Sequence, residues 1–147
     1  MSNASLDPDL EPTLGTHLPV SHLVVVFVGG ALGTLARYVV VKHWIVSNHS
    51  LPWSLVTINA TGSFLLGLLA TSFFISRADL VGIRLFCSTG LLGGWTTYSS
   101  YAVAVLMLGH HHAWSPALWL VLATALGGPL VAWLGRRLGS AVVKAQR

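Results

Sequence analysis

Acidic residues are almost missing from this chain. Of 147 residues only four are Asp or Glu. They are Asp7, Asp9, Glu11 and Asp79, and none lies within a long apolar segment. Residues charged with either sign make up 8% of the sequence, whereas soluble domains carry about 25%. Cation-selective pores and proton-coupled pumps depend on carboxylates inside the membrane, so this scarcity argues against both classes.

Cysteine and basic runs are also scarce. Cys87 is alone, so no disulfide can form within the chain. No cluster of Lys and Arg provides the basic patch that nucleic-acid binding requires. No nucleophile–base pair, phosphate-binding loop or zinc spacing is present either. We therefore expect neither an enzyme nor a nucleic-acid-binding protein.

Apolar residues dominate what remains. They make up 54% of the chain, and the mean hydropathy is +0.73. A membrane span needs about 20 mostly apolar residues, and four segments meet that length. The sequence therefore predicts an all-α membrane protein with a disordered tail over 1–20, one transmembrane domain over 21–140 and a basic tail over 141–147. The predicted spans cover residues 23–46, 51–75, 80–108 and 116–138.

The distribution of basic residues predicts an orientation. Four spans place both termini on one side of the membrane. That side carries six cations, and the other carries Lys42 with Arg37 near the end of the first span. An excess of Lys and Arg marks the cytoplasmic side, so we expect cytoplasmic termini. The six are Arg77, Arg84, Arg136, Arg137, Lys144 and Arg147.

A run of small and hydroxyl residues interrupts the third span. Residues 90–101 read Gly-Leu-Leu-Gly-Gly-Trp-Thr-Thr-Tyr-Ser-Ser-Tyr. Irregular backbone at membrane depth is tolerated only where it is buried in protein or lines a polar cavity. Broken helices of this kind often form ion or substrate sites. The tract therefore predicts a break in the third helix at a functional site.

Arg37 is the one cation deep enough in a span to be informative. A guanidinium there costs a few kcal/mol, so it usually faces water, a partner or an anion path. Alternatively, it extends to the membrane surface, since Lys42 and Trp44 follow closely. Gly29 and Gly33 precede it on the same span and form a small face on which another helix can pack closely.

Asn59 lies in the middle of the second span, with Ser63 on the same helix face. Such residues often join helices by hydrogen bonds, and a buried amide is equally suited to donate to an anion. The polar residues predicted within the spans are Arg, Asn, Ser, Thr and Tyr, all hydrogen-bond donors. That set suits a small anion.

Three motifs, in order on three spans, resemble the Fluc (CrcB-type) fluoride channels. The first is Gly29-Gly30-x-x-Gly33-x-x-x-Arg37-Tyr38, and the second is Thr57-Ile-Asn59-x-x-Gly62-Ser63-Phe64. The third is Gly93-Gly94-Trp95-Thr96-Thr97-Tyr98-Ser99-Ser100-Tyr101. The resemblance covers about residues 22–140.

The resemblance implies an antiparallel dimer of four-helix subunits in the cell membrane, formed with a second copy or a paralogue of opposite charge bias. It implies passive, fluoride-selective export that relieves toxicity. It also implies a structural sodium ion, not transported, on the backbone carbonyls of Gly93 and Thr96. The fluoride pathway would include Arg37, Asn59, Tyr98, Ser99, Ser100 and Tyr101.

The chain departs from the family pattern at Tyr98 and Tyr101, where the family usually has Phe. Tyrosine keeps the positive ring edge that would face fluoride and adds a hydroxyl. Together with the charge bias, this motivates a second hypothesis: a non-conducting structural subunit that assembles with a conducting paralogue.

Overall fold

The computed structural model describes residues 19–44, 51–71 and 80–145, and regular structure in these ranges is helical. A π-helix, Leu85–Leu92, connects α3 to α4. The α-helices are α1 (Val20–His43), α2 (Trp53–Leu69), α3 (Val81–Arg84), α4 (Gly93–Trp95), α5 (Ser99–His110) and α6 (Trp114–Ala145).

Three helical segments are long and apolar enough to cross a membrane. They are Val20–His43, Val81–His110 and Trp114–Ala145, and they correspond to the first, third and fourth predicted spans. α2 is a shorter apolar helix of 17 residues inside the second predicted span. The end of that span at 72–75, the connections at 47–50 and 76–79, and the acidic tail up to residue 18 lie outside the described residues.

The last helix extends further than the sequence indicated. α6 continues to Ala145, past the expected span end at 138 and into the predicted basic tail. Arg137 lies over the ring of Trp133, with its guanidinium carbon 4.7 Å from the ring centroid. Lys144 lies in the last turn of α6, where a basic side chain interacts favourably with the helix dipole and helps to keep the charged end helical.

Glycines set the contact between α1 and the third span. A β-carbon on Gly33 would overlap the carbonyl oxygen of Leu91, and one on Gly29 would lie 2.6 Å from that of Phe86. From the other side, a β-carbon on Gly94 would overlap the carbonyl of Gly30. The predicted close-packing face on α1 is therefore confirmed, and it brings backbone against backbone.

A second glycine contact joins α2 to α6, which pack extensively on each other. A β-carbon on Gly67 would overlap the Ala132 carbonyl, and one on Gly135 would overlap the Phe64 carbonyl. The third span packs on α1 through its π-helix and α4, packs on α6 through α5, and contacts α2 less extensively.

The described helices expose many large apolar side chains. Phe27 on α1 is 75% exposed, Leu106 on α5 is 73% exposed and Leu126 on α6 is 68% exposed. A small buried core lies where α5 meets α6, around Leu108 and Leu120. Helices surrounded by lipid require such a distribution, with large apolar side chains on the outside. Together with the three long apolar helical segments, it shows that the chain is a multi-pass membrane protein.

Candidate functional site

The third span is broken where the sequence predicted. α4 ends at Trp95, and Thr96 has extended backbone angles (φ −73°, ψ 156°). Helix resumes at Ser99 and continues to His110. The break therefore comprises residues 96–98, and the backbone groups around it need partners from elsewhere.

Asn59 of α2 provides the first partners. Its Nδ2 donates to the carbonyl oxygen of Thr97 over 3.1 Å, and its Oδ1 accepts from the Thr97 amide over 2.9 Å. Both backbone groups of one residue are thus satisfied by one carboxamide. The helix-joining role of Asn59 is confirmed, and its second Nδ2 hydrogen stays available to another acceptor.

The side chain of Thr97 provides the next partner. The amide of Ser100 donates to Thr97 Oγ1 over 3.2 Å, and that hydroxyl donates to Ser100 Oγ over 3.1 Å. Ser99 Oγ lies 3.4 Å from the same hydroxyl. Thr97 is 6% exposed, Ser100 is half-buried and Ser99 is exposed. The buried Thr97 hydroxyl, bonded to Ser100, therefore fixes the start of α5.

Arg37 lies at the depth of the break. Its Nε donates to the carbonyl oxygen of Gly94 over 3.1 Å, and Thr34 Oγ1 reaches the same oxygen at 3.5 Å. Gly94 lies near the middle of the segment Val81–His110, two residues before the break. This contact disfavours extension of Arg37 to the membrane surface and leaves its terminal guanidinium donors for other acceptors.

The two carbonyls expected to bind sodium have lost their helical donors. In a continuous helix Gly93 would accept from the Thr97 amide, and Thr96 would accept from the Ser100 amide. Those amides instead donate to Asn59 and to Thr97 Oγ1. Carbonyl oxygens are hard ligands that suit a hard cation such as sodium.

The surroundings of Gly93 are open within one chain. A β-carbon there would meet nothing nearer than the Ser88 carbonyl oxygen, 4.0 Å away. The single chain therefore has room for a β-carbon at Gly93. Across the described residues, no three His, Cys, Asp or Glu side chains lie together, so a cation at the break would depend on backbone oxygens.

Trp95 and Thr96 are packed tightly against α2. Trp95 Nε1 donates to Thr61 Oγ1 over 3.0 Å, and that hydroxyl donates back to the Thr57 carbonyl over 2.8 Å. A β-carbon on Gly62 would overlap Thr96 Cγ2. Gly62 is therefore required for the end of α4 to approach α2.

A cavity of about 430 Å³ lies beside the break, between α2, α5 and α6. Three of the residues predicted for an anion path line it: Asn59, Tyr98 and Tyr101. Ser63 and Thr124 also line it. Ser63 belongs to the second motif, whereas Thr124 was not predicted, because a single threonine in an apolar helix carries no distinctive signal.

The two tyrosines lie together at the wall of this cavity. Their ring centroids are 5.6 Å apart, with the planes inclined by 42°. Tyr98 is 78% exposed in the single chain, whereas Tyr101 is partly buried against Leu108 and Leu120. Arg37, Ser99 and Ser100 do not line the cavity, although the two serines adjoin it through Thr97.

Among the described residues, the charge near the break is positive. Arg37 bonds Gly94, two residues before the break, and all four acids of the chain lie outside the described residues. The groups directed at the cavity and break are amide, hydroxyl and guanidinium donors. Such a set favours an anion over a cation along the side-chain surface, while the open carbonyls favour a cation at the break itself.

Comparison with known proteins matches this chain to one family. A family described as CrcB-like protein, Camphor Resistance (CrcB), matches residues 24–136, which include the break and its partners on α1 and α2. Two similar proteins are both named fluoride-specific ion channel FluC. The one from Methylobacterium radiotolerans is 41% identical over 123 residues, covering 76% of this chain and 86% of that protein. The one from Thermus thermophilus is 39% identical over 127 residues, covering 84% and 98%.

A third similar protein carries the same name. The fluoride-specific ion channel FluC of Rhizobium meliloti is 34% identical over 110 residues, covering 73% of this chain and 87% of that protein. The identities and the coverage exceed what a shared membrane composition produces. The resemblance seen in the three motifs is confirmed, and this chain belongs to the CrcB-like protein family.

Proposed function

We propose that this chain is a subunit of a passive, fluoride-selective channel. The observation that carries the proposal is the donor-lined break: Asn59 and Arg37 converge on it from two helices, and neutral or cationic donors surround it. The names of its relatives support the same conclusion. No residue in this arrangement supports energy coupling or bond-breaking chemistry.

The fluoride pathway runs along the cavity beside the break. Asn59 offers its second Nδ2 hydrogen, and Tyr98 and Tyr101 offer the positive edges of their rings. Ser99 and Ser100 contribute hydroxyl donors next to Thr97, and Arg37 offers its terminal guanidinium donors. A small, strongly hydrated anion needs such donors to replace its water shell as it enters the membrane.

A structural sodium ion is bound by the backbone carbonyls of Gly93 and Thr96. The redirected amides of Thr97 and Ser100 support this, because they leave these two oxygens without their helical donors. When bound, sodium supplies a fixed positive charge that ties the break together. The chain's own residues hold the two carbonyls in place, and the ion is not transported.

The functional unit is an antiparallel dimer of four-span subunits. The exposure of Gly93 and Tyr98 in the single chain supports a partner at the break. A depression of about 650 Å³ lies along α1 at Gly94 and supports the same proposal, because it is open to a second subunit. The partner is a second copy or a paralogue of opposite charge bias.

The physiological role is fluoride export across the cell membrane. Hydrogen fluoride enters cells from acidic surroundings, dissociates in the near-neutral cytoplasm and leaves as the anion down its electrochemical gradient. The excess of basic residues beside the chain ends supports cytoplasmic termini.

Fluoride efflux from proteoliposomes tests this function. Vesicles loaded with potassium fluoride should release fluoride within seconds when valinomycin carries potassium out and balances the charge. Vesicles loaded with potassium chloride should not release chloride. Asn59→Leu is the loss-of-function comparison, and protein-free vesicles set the background. Wild-type protein that is folded and dimeric but releases no fluoride would refute the channel assignment for the chain alone.

A non-conducting structural subunit remains the second candidate. The tyrosines at positions where the family usually has Phe, and the strong charge bias, favour it. Expression alone and together with a paralogue, in a host sensitive to fluoride, separates the two functions. Resistance conferred by this chain alone excludes an inert role, and resistance that appears only with the paralogue supports one.

A further inference from the structure

The carbonyl oxygens of Gly93 and Thr96 are the two proposed sodium ligands. They lack their helical hydrogen bonds because side-chain oxygens accept from the amides that would otherwise donate to them. Helical geometry pairs the carbonyl of each residue with the amide four residues later. By this rule, the Gly93 carbonyl belongs with the Thr97 amide and the Thr96 carbonyl with the Ser100 amide.

Each of these amides is bonded by a side chain. Asn59 Oδ1 lies 2.9 Å from the Thr97 nitrogen, and Asn59 Nδ2 holds the Thr97 carbonyl at 3.1 Å, so the pairing has two points. Thr97 Oγ1 lies 3.2 Å from the Ser100 nitrogen. One acceptor comes from α2 and the other from the break itself.

Gly94, between the two open carbonyls, shows the contrast. Its oxygen accepts from Arg37 Nε and lies 3.5 Å from Thr34 Oγ1. The carbonyls near the break therefore fall into two groups. The Gly94 oxygen accepts hydrogen bonds from side chains of α1. The oxygens of Gly93 and Thr96 have lost their helical donors. Side chains on three different segments produce this pattern together.

We propose that Asn59 and Thr97 are positioning residues for the cation, which they serve by removing the amides that compete for its ligands. This inference rests on the proposed sodium site. It assigns the Thr97 side chain a role outside the fluoride pathway, and it gives Asn59 a second role besides donating to the anion. The side chains themselves do not touch sodium.

Sodium-dependent thermal stability tests the inference. Purified full-length protein in detergent is melted over a sodium chloride series, with N-methyl-D-glucamine chloride holding the ionic strength constant. Thr97→Val keeps the side-chain shape and removes Oγ1, and Asn59→Leu removes the carboxamide. Each should require at least tenfold more sodium for half-maximal stabilisation than the wild type.

Two matched variants distinguish positioning from general damage. Thr97→Ser keeps the hydroxyl and should restore the sodium requirement to within twofold of the wild type. Thr71→Val loses a hydroxyl that bonds the carbonyls of Leu68 and Arg136, far from the break. It should lower the melting temperature without changing the half-saturating sodium concentration.

The outcomes separate this inference from the proposals beneath it. Unchanged half-saturation in both Thr97→Val and Asn59→Leu overturns it. A wild-type protein whose stability does not respond to sodium overturns both the sodium site and the inference. Fluoride efflux measured on the same preparation then decides the channel assignment independently.

A measurement on the wild type covers the case in which the variants do not fold. Thr96 and Thr97 are the only consecutive threonines in the sequence, so ¹³C,¹⁵N-threonine labelling creates a single bonded carbonyl–amide pair. Sodium should shift the Thr96 carbonyl resonance saturably, and the Thr97 amide should resist hydrogen exchange because Asn59 holds it. Rapid exchange of that amide in saturating sodium overturns the inference.

Discussion

The Nε of Arg37 donates to the carbonyl oxygen of Gly94 across 3.1 Å, although 57 residues separate them along the chain. In a continuous helix this oxygen would accept from the amide of Tyr98, an arrangement that the break interrupts. A charged donor from α1 therefore replaces a backbone donor of the third span. The contact makes Arg37 part of the fold as well as of the proposed pathway.

Replacing Arg37 with Met should destabilise the protein. Methionine keeps an unbranched side chain but has no donor for the Gly94 carbonyl, and hydrogen bonds to charged groups contribute about 1.5–3 kcal/mol. We expect a fall of that size in the free energy of unfolding, measured by denaturation in detergent micelles. Arg137→Met is the control: its side chain is exposed over Trp133, and the loss should be about 1 kcal/mol or less. Equal losses in the two variants would contradict a structural role for the Gly94 contact.

Gly33→Ala should disrupt the packing of α1 on the third span. The added methyl group would overlap the Leu91 carbonyl, and backbone cannot move aside as a flexible side chain does. Overpacking of this kind costs about 1–3 kcal/mol, visible as a lower melting temperature. Gly82→Ala has nothing within 4 Å and should be neutral or stabilising by up to about 1 kcal/mol. A Gly33→Ala protein as stable as the wild type would show that the helices do not pack this closely.

Tyr98→Phe and Tyr101→Phe should preserve or improve fluoride efflux. If ring edges alone serve the anion, the hydroxyls are dispensable. Tyr101→Leu keeps an apolar side chain but removes the ring, and should lower efflux at least tenfold. The measurement is initial release rate from proteoliposomes at equal protein density. A tenfold loss in well-folded Tyr101→Phe would mean that the hydroxyl takes part in conduction.

Gly93→Val should weaken the dimer while leaving the single chain intact. A β-carbon at Gly93 meets only the Ser88 oxygen, 4.0 Å away, so the position is open within the single chain and we expect the main clash to come from a second subunit. The dimeric fraction is measured by single-molecule photobleaching as the protein is diluted into lipid. At the dilution at which half of the wild-type protein is dimeric, the dimeric fraction of the variant should be at least tenfold lower. Gly82→Val is the matched control, since Gly82 is equally open within the chain. Identical dimerisation of the two variants would place the partner away from the break.

A cysteine appended after Arg147, in a Cys87→Ser background, should react with impermeant maleimide only from the cytoplasmic side. The charge bias sets this orientation. Neutralising Arg136, Arg137 and Lys144 together should raise the fraction labelled from outside. Equal labelling of the appended cysteine from both faces, in the protein that keeps its basic residues, would establish dual topology. It would remove the reason to invoke a paralogue of opposite charge bias. The channel proposal would still stand.

Features that depend on the membrane alone were predictable from the sequence. Length and hydropathy located the three long apolar segments. The hydroxyl tract located the break, because lipid offers no partner for free backbone groups. The spacing of Gly29 and Gly33 predicted a close helix contact, because small residues on one face let two helix backbones approach each other.

Features that depend on which helix meets which were not predictable. The pairing of Asn59 with Thr97, and of Arg37 with Gly94, requires knowing how α2 and α1 pack against the third span. The π-helix Leu85–Leu92 is also invisible in its sequence, because its residues have no composition that separates i→i+5 from i→i+4 bonding. Thr124 was missed because its position on the cavity depends on how α6 packs.

The partners of the break have a consequence for how the protein is made. The third span has the lowest mean hydropathy of the three long segments, so it is the least able to enter lipid by itself. Arg37 and Asn59 both precede it in the chain, and a ribosome therefore delivers α1 and α2 to the membrane before the break emerges. Each exposed backbone group can find its side-chain partner on arrival. A rearranged gene that encoded residues 80–110 first would have to insert a broken helix with no partner waiting for it.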